Sequence, residues 1–87
     1  MATPEFITQL REHIGNAPLW VPATTTVVIR EVPADAPIWE VPTVLLVKRA
    51  DTGNWTPIGG ICEPGEQPHA TAVREVKEET GLDIEPV

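Results

Sequence analysis

The spacing of apolar residues predicts a short amphipathic helix near the N-terminus. Its apolar face holds one aromatic and three aliphatic side chains: Phe6, Ile7, Leu10 and Ile14. Thr3 is the predicted N-cap, Pro4 the first helical position, and Gly15 the residue that ends the helix. We expect this helix and its connector to form a separate N-terminal segment, residues 1–20.

Two later stretches have the composition of β-strands. Residues 24–30 are dense in β-branched side chains, which favours a strand. Residues 43–49 form a continuous apolar run that ends in two bases, which is typical of a strand buried on both faces. The proline-rich stretch between these strands predicts a surface loop. Residues 55–60 predict a short extended piece that ends in a glycine pair, and residues 82–84 alternate like the beginning of another strand.

A second helix is predicted from Gln67 to Thr80, with Pro68 near its first position and Gly81 just past its end. At about 100° per residue, one side of this helix is mainly apolar and is expected to face the core. That side comprises Ala70, Ala72, Val73, Val76 and Thr80, with Lys77 among them.

The other side of the second helix is predicted to be an acidic patch. Its members in angular order are Arg74, Glu78, Thr71, Glu75 and Glu79. The three carboxylates lie within about 100° of one another, and like charges at this spacing weaken a helix by a few tenths of a kcal/mol per pair. A solvated acidic face and a cation site are both compatible with this pattern, and a hard cation would offset the repulsion directly.

Composition limits the classes of function. The length of 87 residues suits one small domain, and a net charge of −7 argues against a surface for polymeric nucleic acid. The chain has neither a run of ~20 apolar residues nor the pattern of a signal peptide, so the sequence predicts a cytoplasmic protein without membrane association. The single cysteine, Cys62, excludes an internal disulfide and is expected to be a small, half-buried side chain.

The segment from residue 60 to residue 82 decides between a solvated acidic face and a cation site, because it has particular residue types at particular spacings. It contains Gly60, five residues, Glu66, seven residues, Arg74-Glu75-Val76, one residue, Glu78-Glu79, one residue and Gly81-Leu82. This arrangement resembles the Nudix box at every specified position, and the approach from Trp55 to the glycine pair is also similar to that family. A match of this length is far more specific than an isolated pair of glutamates.

The resemblance implies an enzyme that cleaves a diphosphate bond in a nucleoside diphosphate linked to another group. It implies that Glu75 and Glu79, with Glu78, hold Mg²⁺, or Mn²⁺ as an alternative, together with the main-chain carbonyl of Gly59. Arg74 would orient these glutamates. Mg²⁺ prefers oxygen ligands, bridges phosphate oxygens and activates water, which suits this chemistry.

The resemblance also implies that Glu66 supports the site from the loop before the helix. The identity of the general base stays open, because members of the family differ in this respect. Arg49 resembles a phosphate-contacting base of some relatives, although an ordinary surface cation is the more common role for such a residue.

The remaining candidate residues have ordinary structural interpretations. His13 and His69 lie outside the motif and are expected at the surface. The three tryptophans are expected to pack in the core or loops rather than to stack on a nucleobase: Trp20, Trp39 and Trp55.

The fold that the resemblance implies is α/β, an α/β/α sandwich on a mixed sheet, of which residues 21–87 would be the N-terminal part, with a third or more of the domain beyond residue 87. Such a piece would leave apolar surface exposed, and we expect it to be marginally stable and weakly active. A non-catalytic binding or regulatory module, or an inactive remnant, is the alternative to a hydrolase. The N-terminal helix is compatible with ADP-ribose-like or dinucleotide substrates, and equally with packing in a homodimer.

Overall fold

The computed structural model of the protein describes residues 3–87 and contains two α-helices and six short β-strands. In chain order these elements are α1 (Glu5–Ile14), β1 (Ala23–Thr26), β2 (Ile29–Arg30), β3 (Thr43–Val44), β4 (Val47–Lys48), β5 (Trp55–Thr56), β6 (Ile58–Ile61) and α2 (Pro68–Thr80). The combination of helices with strand pairs is compatible with the expected α/β class.

The strands form three antiparallel pairs, β1 with β6, β2 with β3, and β4 with β5. In the first pair, Thr24 lies opposite Gly60 and Thr26 lies opposite Ile58. Helix α2 packs against β1 and β6, and its fully buried Val76 lies in the same core as Ile58. This small α/β core positions one face of α2 against Gly60 of β6.

Both predicted helices are confirmed, with one correction at the start of α1. The N-cap is Pro4 instead of Thr3, and its carbonyl accepts a hydrogen bond from the amide of Ile7 at 3.1 Å. Pro4 is thus one position earlier than predicted. Proline suits either position, because the first amides of a helix have no intrahelical acceptor and the amide that proline lacks is not needed there. Helix α2 begins at Pro68 and ends before Gly81, whose φ of +77° is the left-handed conformation expected at this position.

The predicted strands are present only in part. The stretch 24–30 is divided into β1 and β2, and residues 82–84 form no strand. The prediction that 43–49 is buried on both faces is wrong, since Val44 is 53% exposed and Leu46 is 39% exposed. The reason is that α2 lies over β1 and β6, whereas β3 and β4 are paired at their edges with β2 and β5.

The extended shape follows from this limited packing. The Cα radius of gyration is 16.4 Å, compared with about 12 Å for a compact domain of this length. The expected packing of the three tryptophans in the core or loops is wrong, because Trp20, Trp39 and Trp55 are 87%, 80% and 64% exposed. Cys62 is more buried than expected and is a free thiol. Neither helix found in residues 3–87 is long and apolar enough to cross a membrane.

Candidate active site

Glu75 is a buried carboxylate on α2 that lies directly against the backbone of β6. Its side chain occupies the space beside Gly60, where an added Cβ would overlap with Glu75 Cγ and Cδ. The sequence predicts Thr71 and Glu75 on the acidic arc and not on the core-facing side of α2, and the structure corrects this, since both side chains are buried. The physical reason is the absence of a side chain at Gly60, which allows Glu75 to approach the strand closely.

Arg74 joins the carboxylates of the helix to the loop that precedes it. Its Nε donates to Glu66 Oε2 at 2.8 Å and its Nη2 donates to Glu66 Oε1 at 2.9 Å, which is a bidentate pair. Its Nη1 donates to Glu75 Oε1 at 2.8 Å and to Glu78 Oε2 at 3.4 Å. Its Nη2 also donates to the carbonyl of Ile61 at 3.2 Å, so Arg74 reaches β6 as well.

These contacts change the proton affinities of both partners in the ion pair. The hydrogen bonds from Arg74, and after them the one from Thr71, lower the pKa of Glu66 to about 2. The hydrogen bond to Glu66 raises the pKa of Arg74 above its ordinary value, although partial burial opposes this effect. The pair is therefore charged at neutral pH, and Arg74 is a permanent cation beside Glu75.

Glu79 follows Glu75 by one helical turn on α2 and lines a groove of about 190 Å³. The groove is lined by residues of β4, of the turn after it, and of the strand pair β5 and β6, among them Arg49 and Gly59. The structure thus brings together three of the predicted site residues, Arg49, Gly59 and Glu79, from three separate elements. The sequence motif alone contains only one of them.

Arg49 is held at the rim of this groove by an acidic neighbour. Its Nε and Nη2 donate to Asp51 Oδ1 and Oδ2 at 2.9 and 2.7 Å. The pair lowers the pKa of Asp51 and raises that of Arg49, and both side chains are largely exposed. An exposed ion pair of this kind is weak, so Arg49 can exchange Asp51 for another anion.

The glutamates of α2 are not gathered around one point. Glu78 is exposed and Glu75 is buried, with the guanidinium of Arg74 in contact with both. Within residues 3–87, no group of three or more histidine, cysteine, aspartate or glutamate side chains is arranged to hold a metal ion. The ligand set that the sequence predicts therefore stays a prediction.

Two contacts among these residues are not predicted from the sequence. Thr71, on the predicted acidic arc, donates its hydroxyl to Glu66 Oε1 at 2.6 Å, and Asp51 binds Arg49. Helical periodicity carries no information about a loop carboxylate that folds back onto the helix, which is why the first contact was not predicted. The spacing Arg49-x-Asp51 in a tight turn was the available signal for the second. His13 and His69 are exposed, as predicted.

Comparison with models of protein families matches residues 20–87 to the NUDIX domain. The matched region covers most of the chain and includes all of β1 to β6 and α2. The chain belongs to the Nudix family.

Three curated relatives resemble a little under half of the chain. A "MutT-like protein" of Streptomyces ambofaciens is 45% identical over 42 residues, which are 48% of this chain and 27% of that protein. "Putative 8-oxo-dGTP diphosphatase" of Bacillus subtilis (strain 168) is 50% identical over 40 residues, which are 46% of this chain and 27% of that protein. "Putative ADP-ribose pyrophosphatase YjhB" of the same organism is 44% identical over 43 residues, which are 49% of this chain and 21% of that protein. The chain thus matches about a quarter of the length of these relatives. No solved structure matches it.

Proposed function

We propose that this chain carries the catalytic residues of a Mg²⁺-dependent hydrolase that cleaves a diphosphate bond in a nucleoside diphosphate linked to another group. The relatives are named for diphosphatase and pyrophosphatase activities on nucleotides, which supports this class of substrate. Membership of the Nudix family supports the reaction type. The substrate is a small molecule, since the negative charge of the chain disfavours polymeric nucleic acid.

The observation that carries the proposal is the placement of Glu75. A buried carboxylate is costly unless it is paired and hydrogen-bonded, and the folded chain retains this one beside a glycine with one oxygen on Arg74. A purely structural core would place an apolar side chain here at lower cost. The retained charge therefore supports a chemical role.

The residues around α2 fit a hard divalent cation in the chemistry of their donor atoms. The candidate ligands are the carboxylates of Glu75, Glu78 and Glu79 and the carbonyl of Gly59, which are all oxygen donors of the type that Mg²⁺ prefers. When bound, the metal would neutralise the diphosphate and lower the pKa of a bound water. Nudix hydrolases generally use divalent metals, which supports the same assignment.

The side chains of the site have distinct proposed roles. Arg74 holds Glu75 and Glu78 in their positions through the same guanidinium group. Glu79, at the groove, and Glu78 are exposed, so either carboxylate can reach solvent and accept a proton from the attacking water. Arg49 at the rim of the groove would bind a substrate phosphate in place of Asp51.

A panel of substrates tests this proposal. The chain would be assayed with ADP-ribose, NADH, dinucleoside polyphosphates and oxidised dNTPs, with and without Mg²⁺, and compared with the Glu79→Gln variant. We expect Mg²⁺-dependent turnover of at least one substrate and a loss of about a hundredfold or more in the variant, because several kcal/mol of charge stabilisation depend on the metal ligands.

The matched control is Glu12→Gln, which removes an exposed carboxylate of α1 outside the site. It is expected to retain the activity of the unchanged protein. Absence of turnover on every substrate would contradict the proposed activity and favour a binding module. Equal activity of Glu79→Gln and the unchanged protein would contradict the role of Glu79.

A further inference from the structure

Thr71 is a buried hydroxyl in the first turns of α2 whose contacts are unusual for a threonine in a helix. Its side chain is fully buried, like those of Ile58 and Val76. A threonine in a helix commonly donates to the carbonyl four residues earlier. Here the distance from Thr71 Oγ1 to the carbonyl of Gln67 is 3.3 Å, whereas the distance to Glu66 Oε1 is 2.6 Å.

The single hydroxyl proton of Thr71 can be donated to only one of these acceptors at full strength. The short contact with Glu66 has the length of a charge-assisted O–H···O⁻ hydrogen bond, so the carboxylate receives the proton. Burial strengthens this bond, because no water competes for the hydroxyl. This hydrogen bond thus joins the buried face of α2, at Thr71, to the loop before the helix, at Glu66.

Glu66 is the residue that determines how Arg74 is oriented. Its Oε1 accepts from Thr71, from Arg74 Nη2 and from the amide of Glu63 at 3.1 Å, and its Oε2 accepts from Arg74 Nε. The terminal torsion of a glutamate is broad when nothing restrains it. Thr71 and the Glu63 amide restrain it from one side, and the plane of the carboxylate then fixes the plane of the guanidinium that meets it in a bidentate pair.

We propose that Thr71 is a positioning residue, which acts through Glu66 and Arg74 to hold the Glu75 carboxylate in place for catalysis. The connection runs from the Thr71 hydroxyl to Glu66, from Glu66 to Arg74 Nε and Nη2, and from Arg74 Nη1 to Glu75 Oε1 at 2.8 Å. The part of this inference that concerns turnover rests on the proposed hydrolase function. The part that concerns the orientation of Arg74 is independent of it.

The test compares Thr71→Val, which keeps the shape but removes the hydroxyl, with Thr71→Ser, which keeps the hydroxyl. Loss of a group that orients a catalytic ligand typically lowers activity by 10- to 100-fold, and we expect Thr71→Val to lower kcat by about tenfold with little change in KM. Thr71→Ser is expected to stay within about twofold of the unchanged protein. Similar losses in both variants would assign Thr71 to packing and overturn the proposal.

A double variant shows whether Thr71 acts through Glu66. In the Glu66→Ala background, Thr71→Val is expected to cause no further loss of kcat, because the acceptor of the Thr71 hydroxyl and the partner of Arg74 are already gone. A full additional tenfold loss would overturn the proposed route. Far-UV circular dichroism of each variant establishes that it is folded before activities are compared.

An NMR measurement on the metal-free chain separates this inference from the proposed function. In ¹⁵N-labelled protein, the Arg74 Nε–H signal is expected to be protected from solvent exchange in the unchanged protein and in Thr71→Ser, and to exchange at least about fivefold faster in Thr71→Val. Equal exchange in all three proteins would overturn the positioning role. If no substrate is hydrolysed but the exchange rates differ as expected, the proposed function fails and the positioning of Arg74 by Thr71 stands.

Discussion

The carboxylate of Glu75 and the α-carbon of Gly60 are so close that a methyl group does not fit between them. The atoms that a Cβ at Gly60 would meet are the end of a flexible side chain, which can move more easily than backbone. In its present position Glu75 also accepts from Arg74. A methyl group added at Gly60 is therefore accommodated at the lowest energy by displacement of the Glu75 side chain, which then loses its contact with Arg74.

Gly60→Ala is accordingly expected to reduce activity more than stability. The free energy of unfolding of the variant should be about 1 kcal/mol lower than that of the unchanged protein, which is the lower end of the cost of overpacking. Its turnover should fall by about tenfold or more, as for loss of a group that orients a metal ligand. Urea unfolding and kcat, measured on the same preparation, check the two parts.

Glu75→Ala provides the matched background, because it removes the atoms that the added methyl group would meet. In that background Gly60→Ala is expected to cost close to nothing in stability. An equal cost in both backgrounds would show that the methyl group disturbs the pairing of β1 with β6 instead of Glu75.

At the scale of elements, the loop between β6 and α2 is joined to the helix mainly through Glu66. This carboxylate accepts from Arg74 and Thr71 on the helix and from the amide of Glu63 in the loop. The contacts with Arg74 and then Thr71 lower its pKa to about 2, from an ordinary value near 4.5. A carboxyl group whose pKa is lower in the folded chain than in the unfolded chain stabilises the fold above its unfolded value, and this contribution is lost as the pH falls.

The stability of the chain is therefore expected to decrease as the pH is lowered from about 4.5 towards about 2, with Glu66 as a main contributor. Thermal unfolding followed by circular dichroism over this range measures the effect. The Glu66→Gln variant should be less stable near neutral pH, and its stability should depend less steeply on pH, because the amide does not titrate.

Glu12→Gln on α1 again provides the control and is expected to keep the full dependence on pH. A Glu66→Gln variant with the same slope as the unchanged protein would show that other carboxylates govern the acid transition.

At the scale of the whole molecule, the core lies almost entirely between α2 and the pair β1–β6, and large apolar side chains elsewhere are exposed. The most exposed include Ile38 at 97% and Trp20 at 87%. The radius of gyration of 16.4 Å agrees with this distribution, since the packing of helix on strands is mainly that of α2 on the pair β1–β6. Exposed apolar surface is predicted from the sequence, and these side chains confirm it.

The three tryptophans provide a direct measure of this exposure. Trp20, Trp39 and Trp55 are 87%, 80% and 64% exposed, so we expect iodide to quench nearly all of the fluorescence of the native chain. The reference for complete quenching is a free tryptophan derivative in the same buffer. A fraction that resists quenching, with emission shifted to the blue, would show that another surface covers these side chains in solution.

Local chemistry determined the parts of this protein that were predicted correctly from the sequence. Pro68 and Gly81 give the limits of α2 because a missing amide and a left-handed φ have their effects within one turn. The box between Gly60 and Leu82 identified the family because its residue types and spacings are properties of the chain itself.

Only the tertiary structure decided which side chains are buried. Thr71 and Glu75 lie on the acidic arc of the helical wheel, opposite the side expected to face the core, and both are buried; Glu75 lies against Gly60 of β6. The apolar run of 43–49 is exposed for the converse reason, since the buried face of a strand exists only where another layer covers it. Burial depends on which elements meet, and periodicity along one element does not contain that information.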